Sequence, residues 1–120
     1  MKRILVTGGA GFVGSNLCAR LLKEGSHVIC VDNLYTGRMV NIEPFLSNPE
    51  FEFLNHNIIE PLELENIDEI YNLACPASPP HYQKSPTYTT KTCILGIINM
   101  LELATKNNAK IMQFSRSEVY

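Results

Sequence analysis

The sequence predicts an α/β fold built on a doubly wound parallel sheet, and three observations carry that expectation. Strand-length apolar runs alternate with helix-patterned stretches along all 120 residues. The first run, Ile4-Leu5-Val6, passes through Thr7 into Gly8-Gly9-Ala10-Gly11-Phe12-Val13-Gly14, with glycines at 8, 11 and 14 ahead of a helix pattern. The second run, His27-Val28-Ile29-Cys30-Val31, ends on Asp32, 18 residues beyond Gly14.

Each element follows from its own residues. Strand one, about 2–7, is apolar at successive positions, as a strand covered on both faces requires. A helix over roughly 13–25 has Val13, Leu17, Leu21 and Leu22 at core spacing and Gly25 as its stop. Strand two takes 27–32. Residues 33–50 read as a polar connection holding at most a short helix, with Ile42, Phe45 and Leu46 on its apolar side and Pro49 closing it. Strand three, about 51–55, alternates Phe51-Glu52-Phe53 before Leu54, the pattern of a half-covered edge strand. Asp68-Glu69-Ile70-Tyr71-Asn72-Leu73-Ala74 leads into strand four, and Lys110 to Ser115 forms strand five. A proline-rich loop and a helix at about 87–107 lie between them. Right-handed crossovers then order the strands 3-2-1-4-5, a Rossmann-type sheet.

Such a sheet binds ligands across the carboxyl ends of its strands, where the order reverses. Gly8 permits the sharp turn, Gly11 lets backbone N–H groups approach a pyrophosphate, and Gly14 lets the helix pack closely. The helix dipole adds attraction for the phosphates. Asp32 suits the hydroxyls of an adenosine ribose and would repel a 2′-phosphate, so NAD is the expected cofactor. Asn33, Thr36 and Gly37 extend the same loop towards the ribose or adenine edge. By topology, Asn57 and Ile58 border the adenine, and Leu73 and Cys75 flank the cofactor. Plain strand-end packing is the competing account of these last four positions.

Composition excludes several other classes. Net charge is −2, and the 10 basic residues are scattered, so nothing marks a nucleic-acid or acidic-membrane partner. No segment approaches the ~20 apolar residues of a membrane span. Cys18, Cys30, Cys75 and Cys93 lack C-x-x-C spacing and read as reduced, mostly buried thiols of a soluble, cytoplasmic protein. His27, His56 and His81 are far apart, and no metal site is expected. The stiff loop Cys75-Pro76-Ala77-Ser78-Pro79-Pro80-His81-Tyr82 suits either substrate placement or a rigid linker.

With these residues in view, the chain resembles the amino-terminal part of an extended short-chain dehydrogenase/reductase, most closely the UDP-glucuronate decarboxylases (UDP-xylose synthases). The glycine turn and Asp32-Asn33 are features of the whole superfamily. The proline-rich loop, Thr90-Lys91-Thr92, Gly96, Asn99-Met100-Leu101 and Ser117-Glu118-Val119-Tyr120 carry the closer likeness.

That resemblance implies NAD-dependent oxidation of the sugar C4 hydroxyl, loss of carbon dioxide and return of the hydride, giving UDP-xylose. A ketone at C4 stands β to the C5 carboxylate, so the electrons released by decarboxylation enter an enolate. The likeness also implies that Phe12, Val13 and Thr92 join Gly8, Gly11, Gly14, Asp32, Asn33, Thr36, Gly37, Leu73 and Cys75 around NAD. Lys91 and Asn99 would face the UDP-sugar, and Glu118 would be the acid/base residue. Relatives form homodimers by packing two helices from each subunit. A solvated cation is the plainer reading of Lys91, and a loop acid that of Glu118.

Departures from the family pattern open a second reading. Arg116 stands where the family carries a threonine or serine that hydrogen-bonds the reacting oxygen, and Asn57 stands in place of aspartate. Tyr35, Tyr71, Tyr82 and Tyr88 have no lysine four residues on, so the superfamily's Tyr-x-x-x-Lys pair is missing from these residues. The expectation is thus a partial NAD-binding domain, 1–120, without a substrate-binding domain and inactive by itself. The alternatives are a non-catalytic nucleotide-binding or interaction domain, and an enzyme like dTDP-glucose 4,6-dehydratase.

Overall fold

The computed structural model describes residues 1–34, 38–58, 60–73 and 86–113, with the side chains of 86–93 and 113 excepted. Five strands form one parallel sheet: β1 (Arg3–Thr7), β2 (His27–Asp32), β3 (Phe51–Asn55), β4 (Glu69–Asn72) and β5 (Lys110–Gln113). Their order is β3-β2-β1-β4-β5, as the sequence predicts. Two helices, α1 (Phe12–Lys23) and α2 (Pro86–Asn107), complete the layers.

The alternation of side chains along β1 and β2 divides the core into two clusters. Ile4, Val6, Val28 and Cys30 join Cys18 and Leu21 of α1, with Ile42 and Phe51. Leu5, Ile29 and Val31 join Ile58, Ile67, Ile70 and the α2 residues Met100, Leu103 and Ala104. Successive side chains of a strand point to opposite faces. Both faces are covered, so β1 and β2 are apolar without a break, whereas edge strand β3 exposes Glu52 and Asn55.

The face of α1 differs in part from the sequence expectation. Val13 is 63% exposed; α1 buries Leu21 as expected, together with Gly14 and Cys18, while Leu17 and Leu22 are only partly covered. The helix is rotated because Gly14 must face the turn that precedes it. The 33–50 connection contains two short 3-10 turns, Met39–Asn41 and Glu43–Phe45, with Pro44 near the start of the second.

Polar contacts tie the ends of the sheet opposite the glycine turn. His27 lies between Glu50 and Glu52, each ring nitrogen 3.0 Å from a carboxylate oxygen. Lys2 Nζ donates to Glu69 Oε2 at 2.7 Å, and Tyr71 Oη donates to Glu69 Oε1 at 3.2 Å. The Lys2 bond holds the Glu69 carboxyl below its ordinary range, against the opposing effect of partial burial.

Candidate functional site

The carboxyl ends of β1, β2 and β4 meet at one crevice, because the register sets Thr7 beside Val31 on one side and Asn72 on the other. The Thr7 hydroxyl donates to Asn72 Oδ1 at 2.5 Å and accepts from the Leu73 N–H at 3.1 Å. Asn72 is fully buried, and this bonding holds the ends of β1 and β4 together where the strand order reverses.

The three spaced glycines have different physical reasons. Gly8 has φ 72°, and its N–H donates to the Val31 carbonyl at 2.7 Å, which turns the chain sharply out of β1. A Cβ on Gly14 would stand 2.2 Å from Gly8 O and 2.8 Å from Gly9 Cα. Both are backbone atoms, so packing alone forbids a side chain there. Gly11 differs: its φ is −79°, and the nearest atom to an added Cβ is Gly8 O at 3.4 Å, an ordinary contact. Packing therefore tolerates a side chain at 11, and the fold alone does not account for glycine there.

Gly11 is also the N-cap of α1, which has neither a side-chain cap bond nor an acidic residue in its first turn. The start of the helix thus presents its N–H groups and positive dipole end without a competing carboxylate. Phe12 is 70% exposed and, with Val13, borders this terminus.

Asp32 closes the other side. It is buried, and its carboxylate accepts the Ala10 N–H at 2.9 Å on Oδ2 and the Leu34 N–H at 2.7 Å on Oδ1. These charge-assisted bonds fix the carboxylate while each oxygen retains acceptor capacity for a further donor. Asn33 follows at an exposed position. The Ala10 carbonyl accepts Asn41 Nδ2 at 2.7 Å and the Arg38 N–H at 3.0 Å. Asn41 escapes a sequence reading because its partner lies 31 residues away.

Under the turn lie two free, buried thiols, Cys18 and Cys30. A Cβ on Gly9 would fall 2.4 Å from Cys30 Sγ and 3.2 Å from Cys18 Sγ. The hydrogen bond with Cys18, together with burial, pushes the Cys30 thiol up, which keeps it protonated and unreactive.

Asn57 and Ile58 follow β3, and Asn57 O accepts the Glu60 N–H at 3.0 Å. The Ile58 side chain is turned into the core under α2. Its carbonyl accepts Asn99 Nδ2 at 2.6 Å, so Ile58 and Asn99, assigned to different ligands from sequence, meet each other. Lys91 and Thr92 lie early in α2, with their side chains outside the described residues. Thr36, Gly37, Cys75, Arg116, Glu118 and the proline-rich loop also lie outside them. Among the described residues, no group of three or more His, Cys, Asp or Glu could hold a metal ion, and no helix is long and apolar enough to cross a membrane.

Comparison with known proteins matches this geometry. The family model for GDP-mannose 4,6 dehydratase matches residues 5–120. UDP-glucuronic acid decarboxylase 1 of Arabidopsis thaliana is 52% identical over 118 residues, 98% of this chain and 27% of that protein. UDP-glucuronic acid decarboxylase 1 of Danio rerio is 50% identical over 119 residues, 99% of this chain and 28% of that protein. A dTDP-glucose 4,6-dehydratase from Streptomyces venezuelae, solved with NAD bound, has a TM-score of 0.81 and 29% identity, covering 89% of this chain and 37% of that one. The chain spans a little over a quarter of the length of the curated relatives it matches. Its 3-2-1-4-5 sheet, its glycine turn and a family match over nearly every residue lead to one conclusion: the chain belongs to the GDP-mannose 4,6 dehydratase family, with UDP-glucuronic acid decarboxylases among its relatives.

Proposed function

We propose that this chain is the NAD-binding portion of a UDP-glucuronate decarboxylase that acts in the cytoplasm. The observation that carries the cofactor reading is Gly11, where glycine is unexplained by packing yet opens a helix terminus lacking any side-chain cap. The buried, oriented Asp32 carboxylate supports it at the adenosine end. In this reading Gly8, Gly11, Phe12, Val13 and Gly14 hold the diphosphate, and Asp32, Asn33, Thr36 and Gly37 the adenosine ribose. Asn57 and the backbone of Ile58 border the adenine, and Leu73, Cys75 and Thr92 the remainder of the cofactor. When bound, NAD supplies the hydride acceptor and donor for the sugar C4 position.

The chain's own residues then bind and orient. Asp32 accepts ribose hydroxyls and excludes a 2′-phosphate by charge, which sets NAD above NADP. Lys91 and Asn99 face the UDP-sugar, and Glu118 moves a proton at the reacting centre. The Tyr-x-x-x-Lys pair is not among these 120 residues, so the proposal assigns binding, not complete turnover, to them. Residues 1–120 form a partial domain in this reading, and Lys91 and Asn99 are the sugar-nucleotide contacts it supplies. Homodimerisation through α2 fits its outward residues Ile94, Ile98 and Leu101, which are 52%, 44% and 47% exposed at i, i+4 and i+7 spacing.

Arg116 favours a second reading, a nucleotide-binding or interaction domain without catalysis, because an arginine cannot accept the proton that a threonine or serine exchanges there. Calorimetric titration with NAD, NADP and UDP-glucuronate, alongside Gly11→Asp, separates the two. NAD binding lost in Gly11→Asp and UDP-glucuronate binding by the parent chain support the decarboxylase portion. NAD binding without the sugar nucleotide supports the second reading, and a folded chain that binds none of them overturns both.

A further inference from the structure

Ala10 is held through the peptides on both its sides. Its N–H donates to Asp32 Oδ2 at 2.9 Å, while its carbonyl accepts Asn41 Nδ2 at 2.7 Å and the Arg38 N–H at 3.0 Å. Ala10 itself is fully buried, so its own small side chain has no freedom to take another course. The next peptide begins at that carbonyl and ends at the Gly11 N–H, which donates to Gly8 O at 3.2 Å. In a trans peptide the carbonyl and the following N–H point in opposite directions. Fixing the Ala10 oxygen towards the 38–41 turn therefore aims Gly11 N–H back at Gly8, and sets the plane from which α1 starts.

Asn41 is itself immobilised. Its N–H donates to the Arg38 carbonyl at 3.0 Å, closing the first 3-10 turn, and the next residue, Ile42, is fully buried in the core with Val28 and Phe51. A short amide on such a base makes a fixed donor. Aspartate at 41 would set a carboxylate against a carbonyl, and alanine would remove the donor.

From this geometry we infer that Asn41 is a positioning residue for the cofactor diphosphate, acting through the Ala10 carbonyl on the N–H groups of the glycine turn. The inference rests on the NAD reading above and deepens it. Asn41 joins the ribose-side residue Asp32 to the phosphate-side turn through the two peptides that flank Ala10, yet is not itself assigned to a ligand.

The test is calorimetric titration of the purified chain with AMP, ADP and NAD, for the parent, Asn41→Ala, Asn41→Asp and Gly11→Asp, with amide hydrogen exchange of the 8–14 segment measured on each without ligand. Loss of tenfold or more in ADP and NAD affinity, under twofold change for AMP, and faster exchange of 8–14 in both Asn41 variants is the expected result. A purely structural Asn41 would lower AMP and ADP affinity equally, and that outcome overturns the inference. So does unchanged exchange, or unchanged ADP affinity, in a variant that stays folded. Parent protein that binds neither ADP nor NAD, or Gly11→Asp that binds both normally, overturns the NAD reading and this inference with it, whereas failure in the Asn41 variants alone leaves that reading standing.

Discussion

Gly14 approaches Gly8 so closely that a Cβ on the former would stand 2.2 Å from the carbonyl oxygen of the latter. The atoms in the way are backbone, and relief requires α1 to move off the sheet. Gly14→Ala should therefore cost about 3 kcal/mol or more of stability. Gly11→Ala, with 3.4 Å of room and a negative φ, should change stability by about 0.5 kcal/mol or less but weaken NAD binding. Thermal denaturation of both variants, with titration of NAD into Gly11→Ala, checks the contrast; equal loss of stability would refute it.

Asp32→Asn places an amide NH2 against either the Ala10 or the Leu34 N–H, since each carboxylate oxygen now serves one of them. One bond is lost and the other is no longer charge-assisted, and about 1.5–3 kcal/mol of stability should go with them. The ratio of NAD to NADP affinity should fall as the repelling charge disappears. Chemical denaturation reads the first effect and competitive titration the second.

The Lys2 and Glu69 pair predicts an acid limb. Because the Lys2 hydrogen bond holds the folded Glu69 carboxyl below its ordinary range, its stabilisation is complete above the unfolded glutamate value of about 4.3. It is lost as pH falls through the lower folded value. Denaturant midpoints of the parent and Glu69→Gln should differ at pH 7 and converge as the pH falls below the unfolded glutamate value of about 4.3. An alkaline limb runs the other way: the hydrogen bond to Glu69 raises Lys2, and burial followed by the Glu69 charge raises Tyr71. That contribution is present below about pH 10 and lost above it.

Gly96 faces Ile58, and an added Cβ would meet Ile58 Cδ1 at 2.3 Å and Cγ1 at 2.9 Å. Gly96→Ala should cost about 1–3 kcal/mol through overpacking. In an Ile58→Ala background the same change should be neutral or stabilising, as alanine is about 1 kcal/mol better than glycine inside a helix. A double-mutant cycle measures that coupling, and simple additivity would contradict the contact.

The sheet was legible because its evidence is local. Ile4-Leu5-Val6 and Val28-Ile29-Cys30-Val31 are unbroken apolar runs, and only strands buried on both faces need them. The face of α1 is not legible at Val13, because periodicity ranks residues by hydropathy while the helix is oriented by the approach of Gly14 to Gly8. Gly8, Gly14 and Asp32 announce the crevice through spacing. Asn41 and Asn72 do not, since the peptide and hydroxyl they serve are brought to them by the fold. The two glutamates about His27 are hidden for a similar reason: Glu52 reaches it from β3 and Glu50 from the residue just before that strand.

The central strand pairs first with a near neighbour and then with a distant one: Ile4 lies opposite Val28 on one side and Glu69 on the other. On a ribosome adding about 5–20 residues per second, the second pairing waits on the order of several seconds for its partner to be made. The glycine turn can thus be shaped by β1, α1 and β2 while the far wall of the crevice is still unsynthesised. Until β4 arrives, one flank of β1 remains a row of unmatched peptide groups beside apolar side chains. For a nascent chain that interval is the time of greatest exposure to aggregation, and substitutions that delay β4 should lower the yield of folded protein before they alter its final stability.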